Sequence, residues 1–354
     1  MKKIFFFLKD IFKARYNSFD TGSKSTYQAL RFLYFISDGF LLKPIESWIT
    51  KKNIFSLFFR KNLTYKILPE IEDISVSLLK AEILRMQPYS NNKKSSLKFL
   101  NDKSVSLNNL DFDYYKRNKI VKLEFDSNEI IQNEYIINFI KKFLNTKFIK
   151  MMKEFSNTNI RLMHIDSWIT LPILNNEQEE LNKDKDYDKM TNVNNTLQWH
   201  RDWDYIRDIK LFIYLNDVND EEDGCFQIIE GSNNFSFFSP FKYRDLGGLR
   251  VPNKVIMNNF NYKIKSFFGK KGTNFLADTR GLHRGLAIKN NKSRHILQFV
   301  FSCHSLGTDM KLNFKKNYPN YTRWNELIND NYDFYSALFD KETLMIFSKN
   351  NQKL

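Results

Sequence analysis

The chain has 354 residues, 42% hydrophobic and 16% aromatic, with 55 Lys and Arg against 40 Asp and Glu, a formal net charge of +15. That apolar content supports one large or two smaller packed domains and excludes global disorder, while 11 Gly and 7 Pro exclude collagen-like and proline-rich architectures. Two cysteines, Cys225 and Cys303, exclude a disulfide framework and a four-thiolate zinc site, and favour a reducing, cytoplasmic setting.

In chain order, residues 2–15 come first. The apolar run Ile4 to Leu8 is shorter than a secretory h-region and is ended by Lys9 and Asp10. As a helix this stretch gathers Ile4, Phe5, Leu8, Ile11 and Phe12 on one side. It is expected to pack on the domain, with weak membrane-surface contact as the alternative. Residues 1–157 read as a mainly helical region packed on the core. Pro69, Glu70, Glu72 and Asp73 mark a helix start, followed by Ile71, Ile74, Leu78, Leu79 and Ile83 at helical spacing. A second helix is predicted from Asp126, with Ile136, Ile137, Ile140, Leu144 and Phe148 along one face. The Asn/Ser/Lys-rich stretch 89–118 reads as a loop.

From about 158 the period changes from helical to alternating. Strands are predicted at 160–169, 209–215, 225–229, 262–268, 273–277 and 294–303, separated by Gly, Asn and Asp turns. The polar stretch 175–196 is either disordered or a lid over a site. The expected architecture is α+β: a jelly-roll (cupin-like) core over 158–305 with flanking helices at both ends, including a helical tail at 306–354.

The residues that carry chemistry lie in two segments, Gln198-Trp199-His200-Arg201-Asp202 and Gly281-Leu282-His283-Arg284-Gly285, with Arg294 beyond the second. On an extended segment residues i and i+2 share a face, so His200 and Asp202 can converge while Arg201 points away. With His283 they supply two imidazoles and one carboxylate, the facial set that holds non-haem Fe(II) and leaves other positions open. Arg294, eleven residues on from His283 (294 − 283), offers a fixed fork of donors for a dicarboxylate such as 2-oxoglutarate. A competing His164-Ile165-Asp166 lies inside an apolar strand, which disfavours it as an open metal site. Gln198, Trp199 and Trp203 either line the pocket or are ordinary packing. His295 and His304 receive no role.

These segments, with Asp278-Thr279-Arg280, Tyr214 to Val218, Asp223-Gly224-Cys225-Phe226 and Gly231-Ser232, resemble the phytanoyl-CoA dioxygenase family over roughly 158–305. The resemblance implies a double-stranded β-helix, Fe(II) held by His200, Asp202 and His283, and Arg294 gripping the far carboxylate of 2-oxoglutarate. Asn233 departs from the pattern, standing where His is frequent after Gly-Ser, and Glu230 stands where Pro is common. Because Asp202 is present, the resemblance implies hydroxylation rather than halogenation. Prolyl-hydroxylase-like enzymes use Lys in place of the Arg, and nucleic-acid demethylases of the AlkB type carry a second Arg where Val300 stands.

The expected activity is therefore hydroxylation of an unactivated C–H bond in a small, anionic or acyl-type metabolite, using Fe(II), 2-oxoglutarate and O2. The competing expectation is a non-catalytic jelly-roll module whose basic surface binds anionic polymer or lipid. Nucleic acid is not favoured as a partner: no run of five consecutive basic residues occurs, so the positive charge reads as a solvated Lys-rich surface.

Overall fold

The computed structural model describes residues 63–302 apart from 87, 91–109, 111, 118–119, 157–160, 173–196, 203–207, 234–249, 252, 261–262 and 290. The expectations for residues 2–15, the 175–196 stretch, Trp203, Cys303, His304 and the tail from 306 lie outside the described residues.

Up to residue 156 the chain forms β1 (Tyr65–Ile67), α1 (Asp73–Leu84), β2 (Tyr89–Ser90), α2 (Phe112–Arg117), β3 (Lys122–Phe125), α3 (Ser127–Gln132), α4 (Glu134–Phe143) and α5 (Thr146–Ser156). Then come β4 (Arg161–Thr170), β5 (Trp199–His200), β6 (Asp208–Tyr214), β7 (Phe226–Ile229), β8 (Arg250–Val251), α6 (Asn253–Phe260), β9 (Ile264–Phe267), β10 (Asn274–Asp278), β11 (His283–Gly285) and β12 (Arg294–Ser302). They assemble into an α+β fold with two antiparallel sheets. The larger has the order β1-β10-β6-β12-β4-β3-β2 and the smaller β8-β5-β11-β7-β9. Three strands of the larger sheet thus come from the region before residue 157.

Alternation along β6 explains the layering. Ile209, Leu211 and Ile213 point to one side, into a core shared with α1, α3, α4 and α5 through Val76, Leu79, Ile130, Ile136, Ile140 and Met152. Phe212 and Tyr214 point to the other side and meet Phe226, Ile228 and Phe267 of the smaller sheet together with Phe275 of β10. The sheets are therefore packed face to face through an aromatic layer, and the helices cover the outer face of the larger one. Among the described residues no helix is long and apolar enough to cross a membrane.

Helix positions differ from the sequence reading in two instructive places. The first helix starts at Asp73, not Pro69, because the lead-in is tied to β10 and its turn: Leu68 N donates to Asn274 O (3.1 Å) and Ile71 N to Gly272 O (3.1 Å). Its buried face is Val76, Leu79 and Ile83, while Ile74 is 74% exposed, so the inward face is set by docking on α4 and not by the count of isoleucines. The second helix is split at Asn133, whose side chain accepts from Ile136 N (3.1 Å) and so caps α4.

Candidate metal centre

Two short strands of the smaller sheet build the centre. β11 pairs with β5, and the register places His283 directly opposite His200, with ring centroids 4.3 Å apart. Asp202 follows two residues after His200, and its N–H donates to Thr279 O (3.0 Å), which ties the chain beyond β5 to the approach of β11. Arg201 points away as its parity requires: buried, it donates from Nη1 to Ser232 O (2.6 Å) and to Arg280 O. Behind it, Arg280 makes a fully buried two-point pair with Asp278, Nε to Oδ1 at 2.9 Å and Nη2 to Oδ2 at 2.6 Å. Asn233, the departure from the family pattern, donates to Asp278 Oδ2 and Leu63 O (3.1 Å each) and accepts from Thr64 Oγ1 (3.0 Å). The asparagine thus knits the entry to β1 onto the frame behind the site.

The imidazoles are oriented alike. His200 Nδ1 lies 2.7 Å from Gln198 O and His283 Nδ1 lies 2.9 Å from Gly281 O. A carbonyl only accepts, so both Nδ1 atoms carry a proton, and Nε2 is the atom of each ring left to coordinate. Each Nε2 faces Asp202: His200 is 3.5 Å from Oδ1 and His283 is 3.3 Å from Oδ2. The ligand atoms of the three residues all lie within 4.8 Å of one another. Burial pushes the Asp202 carboxyl up, but Lys210 first and then His283 and His200 outweigh it, holding the carboxyl well below the usual range. Two imidazoles and one carboxylate, set in a triangle, fit a divalent cation with nitrogen and oxygen preference and leave part of its coordination sphere uncovered.

Arg294, at the start of β12, lies on the same cavity of about 270 Å³ as the triad. It is 4% exposed, and Nη2 approaches Thr170 Oγ1 at 3.4 Å. Among the described residues its Nε and Nη1 have no hydrogen-bond partner. Burial lowers its pKa, opposed by Tyr214 and Cys225. A buried guanidinium with unmatched donors is costly unless an anion completes it. Gly285 leaves the room that the Arg294 guanidinium occupies: a Cβ there would stand 2.5 Å from Nη2. Gly285 lies two residues beyond His283 on β11, a separation of about 6.6 Å along a strand. The guanidinium and the triad share one cavity, where a chelating dicarboxylate can meet both.

The remaining sequence candidates do not join the triangle, although Asp166 lies on the cavity wall. Gln198 contributes the carbonyl that orients His200, and neither it nor Trp199 lines the cavity. Trp199 is fully buried with Ile229, Val251, Ile256 and Leu282, its Nε1 donates to Asn253 Oδ1 (3.2 Å), and Arg284 covers its ring. Packing, not pocket lining, is its role. In the competing pair, His164 lies on β4 opposite Val300, and the Asp166 carboxylate accepts from Ser127 Oγ (2.7 Å) and Gln298 Nε2 (3.4 Å). Burial pushes the Cys225 thiol up to about 12, which leaves it inert. Sequence reasoning missed Lys210, whose Nζ is 2.7 Å from Asp202 Oδ2, and Trp168 and Glu124 on the cavity wall. The signal for Lys210 was a single charge within the apolar strand Ile209 to Leu215.

No protein-family model matches the sequence, and no curated protein matches it. Solved structures do. HygX from Streptomyces hygroscopicus, with nickel and 2-oxoglutarate bound, is 14% identical over 73% of this chain and 89% of its own, with a TM-score of 0.42. The non-heme alpha ketoglutarate dependent epimerase SnoN from nogalamycin biosynthesis is 11% identical over 72% and 88%, TM-score 0.43. The carbocyclase SnoK from the same biosynthesis is 12% identical over 69% and 81%, TM-score 0.39. Similarity this distant leaves the chemistry to be read from the side chains of this chain.

Proposed function

We propose that this chain is an Fe(II)- and 2-oxoglutarate-dependent oxygenase that hydroxylates a small molecule. One observation carries the reading: the ligand atoms of His200, Asp202 and His283 converge on a cavity that also holds a buried guanidinium with two unmatched donors. His200, Asp202 and His283 would hold iron, and Arg294 would hold the far carboxylate of 2-oxoglutarate. When bound, iron with 2-oxoglutarate and O2 supplies the oxidising power, coupling decarboxylation of the co-substrate to succinate with insertion of oxygen into a C–H bond.

The protein's own part is positioning. The carbonyls of Gln198 and Gly281 fix the tautomers, and the Asp278–Arg280 pair stiffens the turn before His283. Phe212, Phe226 and Ile296 line the cavity's apolar side and keep water from the reacting centre. Its charged lining is balanced, Lys122, Lys210 and Arg294 against Glu124, Asp166 and Asp202. The chain's surplus of positive charge is therefore not gathered here, and an anionic substrate draws no support from this wall.

The finer parts of the proposal are a double-stranded β-helix core of the phytanoyl-CoA dioxygenase type over 158–305, flanked by the regions before and after it, and a cytoplasmic setting. Succinate release from 2-oxoglutarate by the purified protein tests the activity. His283→Ala is expected to abolish it together with iron binding, and normal release by that variant would refute the assignment.

A further inference from the structure

The Lys210 ammonium rests against the carboxylate just assigned to the metal, and this inference depends on that assignment. Lys210 is buried, and its Nζ donates to Asp202 Oδ2 at 2.7 Å. The same oxygen faces His283 Nε2 at 3.3 Å, while Oδ1 faces His200 Nε2 at 3.5 Å. Strand parity delivers the lysine there. Lys210 shares a face of β6 with the cavity residue Phe212, and its cross-strand neighbours are Ala277 of β10 and Val300 of β12. Both are small or short, which leaves a lane for the four-carbon stem between bulkier rows.

We propose that Lys210 is a positioning residue that occupies Asp202 Oδ2 and so restricts the carboxylate to binding a metal through one oxygen. A carboxylate free to rotate can bind with both oxygens. With two imidazoles that would use four of six positions and leave two, too few for a chelating keto acid and dioxygen together. A donor fixed on Oδ2 lowers its basicity and holds its plane, so three positions stay open. The ammonium also balances the buried carboxylate before metal arrives, so the triangle is assembled in advance.

Anaerobic titration with Co(II), whose visible spectrum reports coordination number, tests the inference without turnover. Wild-type protein is compared with Lys210→Met and Lys210→Arg, and 2-oxoglutarate is then titrated into each cobalt-loaded protein. Lys210→Met is expected to shift the cobalt spectrum toward a higher coordination number and to bind 2-oxoglutarate about 10- to 100-fold more weakly. Lys210→Arg, which keeps a donor, is expected to restore most of each. An unchanged spectrum and an unchanged 2-oxoglutarate affinity in Lys210→Met would overturn the inference. If Lys210→Met does not fold, a crystal structure of cobalt-loaded wild type decides. One Asp202 oxygen on the metal and the other on Lys210 supports the inference, and two oxygens on the metal overturns it. Wild type that binds no Co(II) at this triad removes both this inference and the metal assignment, whereas normal wild-type binding with an indifferent Lys210→Met removes only the role of Lys210.

Discussion

Gly285 is the position where a single methyl group interrogates the co-substrate clamp. A Cβ there would stand 2.5 Å from Arg294 Nη2, 3.2 Å from Nη1 and 3.3 Å from Cζ. Ordinary contact begins near 3.4 Å, so the guanidinium must retreat by about 0.9 Å. The backbone at Gly285 is regular strand, so Gly285→Ala introduces crowding at the guanidinium and no forbidden backbone angle. A displacement of that size at a charge-assisted pair costs about 2 kcal/mol, or roughly 30-fold in affinity. The KM for 2-oxoglutarate, read from succinate release, is expected to rise by about that factor, as is its Kd on cobalt-loaded protein. Metal affinity should stay within a few-fold of wild type, because both imidazoles keep their carbonyl anchors. A folded Gly285→Ala with an unchanged KM for 2-oxoglutarate would show that Arg294 does not hold the far carboxylate.

Arg294→Met is expected to raise that KM by 100-fold or more while Co(II) affinity persists, measured in the same two assays. Asn233→Ala removes three hydrogen bonds behind the site and is expected to cost about 2 kcal/mol or more in urea unfolding. His295 concerns pH. Burial, and then Lys80, push it down to about 3, with Ser167 Oγ on Nε2 and no partner for Nδ1 among the described residues. Between about 3 and 6.5 the unfolded chain therefore binds a proton that the folded one refuses, so this group destabilises the fold as pH falls below about 6.5, by about 1 kcal/mol per pH unit. His295→Phe should flatten the dependence of urea-unfolding stability on pH between 6.5 and 5, and an unaltered slope would count against the buried neutral state.

The ligand set was legible in the sequence because its chemistry is local: parity puts His200 and Asp202 on one face, and the Gly-Leu-His-Arg-Gly segment with Arg294 announces a second strand and the next one along the chain, which joins the other sheet. Longer strands were legible as largely apolar runs bounded by turn residues, β4, β6 and β12 being 10, 7 and 9 residues long. The two strands that hold the imidazoles are two and three residues long, and no period exists at that length. β1, β2 and β3 join the larger sheet through pairings far apart in sequence, such as Tyr65 with Ala277, which local patterns do not encode. Trp199 was left open between pocket lining and packing because adjacency to a ligand in sequence does not fix adjacency in space, and on a strand the next residue faces the opposite side. Lys210 announced only an anomaly, and its partner became visible once β6 and β5 were brought together.

The most direct measurement is an anaerobic titration of Fe(II)-loaded protein with 2-oxoglutarate, followed in the visible spectrum. The expected result is a saturable metal-to-ligand charge-transfer band in wild type that is absent from His283→Ala and needs much more 2-oxoglutarate in Arg294→Met. A wild-type protein that binds Fe(II) but develops no band, or that binds none, would contradict the assignment of these four side chains to one oxygenase site.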